Sequence, residues 1–259
     1  MLVDLHNHTP LCNHAEGSVD EYIKVAIQKG IKYFGFSDHA PMEFDPKYRM
    51  GFNDMPTYEK WINDAKEKYK DDITVLLGYE VDYIKKFLDD RVLNAKVDYL
   101  IGSVHFLDEW GFDNPEFIGR YKHEDIDHIW QQYFDTIEAM AKERLFDIVG
   151  HLDLIKVFKF LPKKDIRLIA KNALKAIKEA DMVLEINMAG IRKPIEEPYP
   201  SNELLSEAFS LNIPITFGSD AHKPEQVGLF NETIVDLARK VGYTKCAIFK
   251  GRDREFITF

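Results

Sequence analysis

Leu2-Val3-Asp4-Leu5-His6-Asn7-His8 is an apolar run that ends on two histidines spaced two apart. In extended backbone such residues leave the same face, so both imidazoles can reach one metal ion. The arrangement recurs. Runs at 2–5, 33–37, 74–80, 99–104, 148–151, 183–187 and 215–219 are rich in Ile, Val, Leu and aromatics without clean alternation, as strands buried on both faces are. At or near their ends stand His6 and His8, Asp38-His39, Glu80, His105, His151 and Asp220-Ala221-His222, with His14 in the first loop. Seven of nine histidines thus share a strand-end position. Imidazole nitrogen together with carboxylate oxygen suits zinc, iron or manganese.

Helical patterns separate the strands. Residues 165–180 repeat apolar side chains at a period near 3.6. Ser18 with Glu21 predicts a capping box at the start of another helix, and Gly30 predicts its stop. Seven strand and helix alternations with ligands on nearly every strand predict a closed or nearly closed barrel, because an open sheet would gather them at one switch point. The stretch 247–259 predicts either an eighth strand or a terminal hairpin. With no repeat or linker-like stretch in 259 residues, a single domain over 1–259 is expected. Three long loops, 40–56, 106–122 and 188–200, contain Tyr48, Trp110, Phe112 and Tyr199 and are expected to be ordered lids or binding loops.

Basic residues number 34 against 44 acidic, and the net charge of −10 argues against nucleic acid or anionic membrane as partner. Cys12 and Cys246 form no disulfide framework, and no segment reads as a signal peptide or membrane span, so a cytoplasmic protein is expected. Cys12 could coordinate a metal, although packing of the loop is the preferred reading. Glu80 ends a buried run where an unpaired carboxylate would be costly, and bridging two metals would resolve that cost. Asp38 and Asp153 either orient neighbouring histidines or bind metal themselves. His123 and His128, among acids at the polar start of a helix, read as solvated surface.

The motifs His6-Asn7-His8-Thr9, Ser37-Asp38-His39, Gly78-Tyr79-Glu80, Gly102-Ser103-Val104-His105, Gly150-His151-Leu152-Asp153 and Gly218-Ser219-Asp220-Ala221-His222 resemble those of the PHP (polymerase and histidinol phosphatase) superfamily across almost the whole chain. Gly102 to Phe106, the segment around His151 and the length are similar to its histidinol-phosphate phosphatases. The resemblance implies a distorted TIM-like (β/α)7 barrel holding three divalent transition-metal ions (Zn, Fe or Mn). One would take His6, His8, Glu80 and Asp220; a second would share Glu80 and take His105 and His151; the third would take His14, His39 and His222. It also implies basic groups on a substrate phosphate, here Arg192 and, where an arginine is expected, Lys156, a point charge without the planar fork.

The implied reaction is hydrolysis of L-histidinol phosphate to L-histidinol and phosphate, with a metal-bridging hydroxide as nucleophile, Glu80 and Asp220 in the metal site and Arg192 on the phosphoryl oxygens. Asp220, Asp153 or a metal-bound water would protonate the leaving alkoxide. Glu43, Asp45, Asp108, Glu109 and Asp113 are candidates to meet the amine and imidazole, with Trp110 and Phe112 lining the pocket. The rival readings are a PHP phosphoesterase acting on nucleotides, oligonucleotides or sugar phosphates, and a non-catalytic metal-stabilised module.

Overall fold

The computed structural model of the chain describes residues 2–259. Its strands are β1 (Val3–Asp4), β2 (Tyr33–His39), β3 (Thr74–Asp82), β4 (Tyr99–Ser103), β5 (Phe106–Leu107), β6 (Trp110–Gly111), β7 (Ile148–Val149), β8 (Val183–Asn187), β9 (Ile215–Gly218), β10 (Lys245–Lys250) and β11 (Asp253–Thr258). Its helices are α1 (Val19–Gln28), α2 (Met55–Lys68), α3 (Asp90–Leu93), α4 (Ile126–Glu143), α5 (Ile166–Glu179), α6 (Asn202–Ser210) and α7 (Asn231–Val241). Seven strands pair in parallel in the order β1-β2-β3-β4-β7-β8-β9. The seam between the outer two is stitched by Leu5 N to Phe217 O (2.8 Å), Asp220 N to His6 O (2.7 Å) and His8 N to Ala221 O (3.0 Å). The result is a nearly closed, distorted TIM-like barrel in a single domain, distorted where the four-residue α3 replaces a full helix.

The barrel strands are short and buried. β3 is buried from Val75 to Asp82, and Tyr99 of β4 sends its hydroxyl across the interior to Leu5 O at 2.6 Å. α1 begins at the expected capping box: Glu21 Oε2 accepts from Ser18 N at 2.7 Å. α5 buries Ile169, Ala170, Ala173, Leu174, Ala176 and Ile177 along one stripe, with Asp165 as its N-cap.

Two expectations shift, and one open choice is decided. β1 is two residues long: beyond Asp4 the backbone bonds chiefly across the seam, although Asn7 O still accepts from Ser37 N of β2 at 2.9 Å. β7 stops at Val149 because His151 has positive φ, which ends a strand. The C-terminal stretch is an antiparallel hairpin, β10–β11, outside the barrel sheet. Its turn and the start of β11 meet the residues preceding the strands: Arg252 N donates to Asp98 O (2.8 Å), Arg252 Nη2 to Leu145 O (2.9 Å) and Arg254 Nη1 to Asp181 O (2.9 Å). The hairpin therefore closes the N-terminal face, opposite the strand ends that carry the histidines. Among the described residues no helix is long and apolar enough to cross a membrane.

Candidate metal centre

Parallel strands deliver their C-terminal ends to one rim, and this is where the polar residues collect. His6 and His8 follow β1, His39 ends β2, Glu80 lies near the end of β3, His105 follows β4, His151 follows β7, and Asp220 and His222 follow β9. His14 comes from the turn after β1, where Thr9 caps the 3-10 segment Pro10–Cys12 and Asn13 takes a left-handed conformation.

Glu80, buried to 1% exposure, is the hub. Its Oε2 is faced by His39 Nδ1 (3.0 Å), His6 Nε2 (3.3 Å) and His8 Nε2 (3.8 Å). Its Oε1 is faced by His151 Nε2 (2.9 Å) and His105 Nε2 (3.6 Å). Asp220 Oδ1 lies 3.2 Å from His8 Nε2. Donor atoms converge in the triplets His6–His8–Glu80, Glu80–His105–His151 and His14–His39–His222, each within 4.8 Å, and His8–Cys12–His222 forms a fourth. Asp220 and His222 do not repeat the extended geometry of His6 and His8. Asp220 is left-handed at φ 51°, so its carboxylate turns toward His8 while His222 joins His14 and His39.

The orientation of the rings is informative. His6 Nδ1 is 2.7 Å from Glu185 Oε1, His8 Nδ1 is 3.3 Å from Asp38 Oδ1, and His105 Nδ1 is 2.6 Å from Asp82 Oδ1. With each Nδ1–H donated to a carboxylate, each Nε2 lone pair points at Glu80 or Asp220. Lone pair then faces lone pair, which is repulsive unless a proton or cation lies between. His6 Nε2 and His39 Nδ1 are buried without a hydrogen-bond partner. Burial lowers the proton affinity of His105, but Asp82 and Glu80 outweigh it and push the pKa up to about 10. For Glu80, burial opposes ionisation, yet His6, His39 and His105 hold it well below the usual carboxylate range. This nitrogen and oxygen donor set, with carboxylates behind the rings, suits divalent transition metals.

Asp38 stands behind His8, with one oxygen 3.3 Å from His8 Nδ1 and the other accepting from Thr9 N at 3.2 Å. Glu185 and Asp82 were not singled out from the sequence. Val183-Leu184-Glu185-Ile186-Asn187 carries the same signal as Glu80, a carboxylate inside a buried apolar run. Gly218 makes room for it: a Cβ there would lie 2.0 Å from Glu185 Oε1.

The sequence pattern of the PHP domain matches residues 4–189, and that of a PHP-associated segment matches residues 205–238. The chain belongs to the PHP domain family. This PHP domain is 38% identical to the "Probable histidinol-phosphatase" of Deinococcus radiodurans, over 93% of this chain and 94% of the relative. It is 31% identical to the histidinol-phosphatase of Bacillus subtilis, over 90% and 98% respectively. In fold it resembles the histidinol phosphate phosphatase of Lactococcus lactis, solved with zinc, L-histidinol and phosphate, with TM-score 0.80, 23% identity and 98% of each chain covered.

Beyond the cluster, this PHP domain sorts the other candidates. Arg192, in the 3-10 segment Ala189–Arg192, donates Nη2 to Ser219 O and Asp220 O, both at 2.9 Å, while Nη1 is buried without a partner. Lys156 is not brought to the site. An ammonium has three donors, and Nζ meets Pro198 O (2.8 Å), Asp153 Oδ2 (3.2 Å) and Glu197 Oε2 (3.2 Å), so none is left for a phosphate. Asp153 belongs to that pair rather than to His151.

Among the loop acids, Asp45 pairs with Arg49 and Glu109 with Lys86, and Glu43 and Asp108 are exposed. Asp113 is half-buried in the field of His105 and His151. Phe112 does not line a substrate pocket: it is fully buried against Tyr133. Trp110 packs on Tyr121 and under Arg120. Cys12 and Cys246 are buried and free, and His123 and His128 are exposed.

Proposed function

We propose that this PHP domain is a metal-dependent phosphomonoesterase that hydrolyses L-histidinol phosphate to L-histidinol and inorganic phosphate, as one catalytic domain over residues 1–259, of which Met1 lies outside the described residues. The observation that carries the reading is similarity to histidinol-phosphatases over nearly the whole length of both partners. Three divalent transition-metal ions, Zn, Fe or Mn, would be held by His6, His8, Glu80 and Asp220; by Glu80, His105 and His151; and by His14, His39 and His222. When bound, such cations acidify water and neutralise phosphoryl charge.

The chain's own residues do the rest. Glu80 presents one oxygen to each of two triplets and so fixes their separation. Asp220 is held by His8 on one oxygen and by Asn187 Nδ2 (3.2 Å) on the other, which places a carboxylate beside Arg192. Arg192 turns its free Nη1 to a phosphoryl oxygen, a charge-assisted bond that strengthens as charge develops there. Net charge −10 disfavours nucleic acid and anionic membranes as partners, and two free buried thiols fit a cytoplasmic setting.

Phosphate release from L-histidinol phosphate, nucleoside monophosphates, short single-stranded DNA, sugar phosphates and serine phosphate tests the reading side by side. Histidinol phosphate is expected to lead by about a hundredfold in kcat/KM, roughly 2.7 kcal/mol in transition-state binding. Chelation should abolish release, and manganese or zinc should restore it. A nucleotide or DNA substrate of equal efficiency overturns the substrate assignment, and full activity in strong chelator overturns the metal assignment.

A further inference from the structure

Lys156 raises the question of why a lysine is buried to 2% exposure beside the site without touching it. Its acceptors lie on two different segments. Asp153 sits in the turn just after His151. Glu197 and Pro198 belong to the far arm of loop 188–200, whose near arm carries Arg192. Ser201 N, at the end of the same arm, also donates to Asp153 Oδ2 at 2.8 Å.

The two arms are locked to each other. Asn187 N meets Tyr199 O at 2.6 Å, and Tyr199 N meets Asn187 O at 3.0 Å. Gly190 lies so close to the far arm that a Cβ would stand 2.0 Å from Glu197 O and 3.0 Å from the Tyr199 ring. Where residues 197–199 rest therefore sets where Gly190 rests, and Arg192 follows two residues on.

We infer that Lys156 is a positioning residue: its ammonium pins the Arg192 loop to the turn carrying His151, and so presents Arg192 Nη1 to the substrate phosphate. The inference rests on the phosphate role of Arg192 proposed above. A methionine at 156 fills similar space but supplies no donor. Asp153, itself fully buried, would then keep only Ser201 N, and the far arm would lose two of its anchors.

The test combines amide hydrogen exchange with a double-mutant cycle on the metal-loaded enzyme. Lys156→Met is expected to speed exchange across residues 188–199 by about tenfold or more with metal content unchanged. It should lower kcat/KM for the phosphomonoester by about tenfold, chiefly through KM. Arg192→Ala should lower kcat/KM by about one to two orders of magnitude, and adding Lys156→Met to it should cost nothing more, because the loop then has no grip left to position. Unchanged exchange, or losses that multiply, overturns the inference. Should Arg192→Ala alone be harmless, the phosphate role of Arg192 falls, and exchange alone decides whether Lys156 holds the loop. If Lys156→Met does not fold, Glu197→Gln weakens the same clamp from its exposed side; smaller shifts of the same sign are expected, and wild-type exchange and KM overturn the inference.

Discussion

At the scale of single residues, the cluster is governed by which nitrogen of each imidazole is already engaged. A carboxylate behind the ring fixes the tautomer and leaves the opposite lone pair directed at Glu80 or Asp220. Glu185 does this for His6 and also accepts from His151 N at 2.9 Å, so one buried side chain steadies members of two triplets. Glu185→Gln preserves shape but lets an amide present the wrong group to His6. The expected result is metal affinity weaker by about 10–100-fold, read by competition with a chromogenic chelator. Unaltered affinity would mean that His6 holds its orientation through packing alone.

At the scale of elements, the strand ends were readable because parallel strands buried on both faces leave unbroken apolar runs, and the residues that stop those runs are the ones that meet the rim. What could not be read was which strand end faces which. Glu185 on β8 reaches His6 beyond β1, across the intervening β9, and it passes because Gly218 on β9 has no side chain. Asp82 went unread for the same reason, since only the pairing of β3 with β4 sets it against His105. The saturation of Lys156 depends on acceptors more than forty residues away in sequence. Gly218→Ala should therefore act as a metal-site variant, with a Cβ that would also approach His6 Cβ to 2.6 Å. It is expected to lose about 1–3 kcal/mol of stability and to bind less metal, measured by denaturant unfolding and elemental analysis. Retention of full metal content would show that Glu185 has room to move.

At the scale of the whole molecule, the two faces of the barrel divide the labour. The histidine rim is polar, whereas the opposite face is covered by the β10–β11 hairpin, anchored by Thr216 Oγ1 on Ala247 O at 2.9 Å and by Arg252 at the feet of β4 and β7. Arg252→Ala should lower stability by roughly 1–2 kcal/mol and Tm by about 2–4 °C for each of those kcal/mol, with kcat/KM unchanged. A comparable loss of activity at temperatures where the variant is fully folded would show that the faces are coupled. The seam between β1 and β9 carries a consequence in time. It joins residues made early in translation to residues made some two hundred positions later, and the triplets inherit that schedule. Glu80, His105 and His151 have all left the ribosome well before Asp220 and His222, so under the metal assignment proposed above the first of these sets would be open to a cation before the barrel closes, whereas the set containing His222 would wait for the seam.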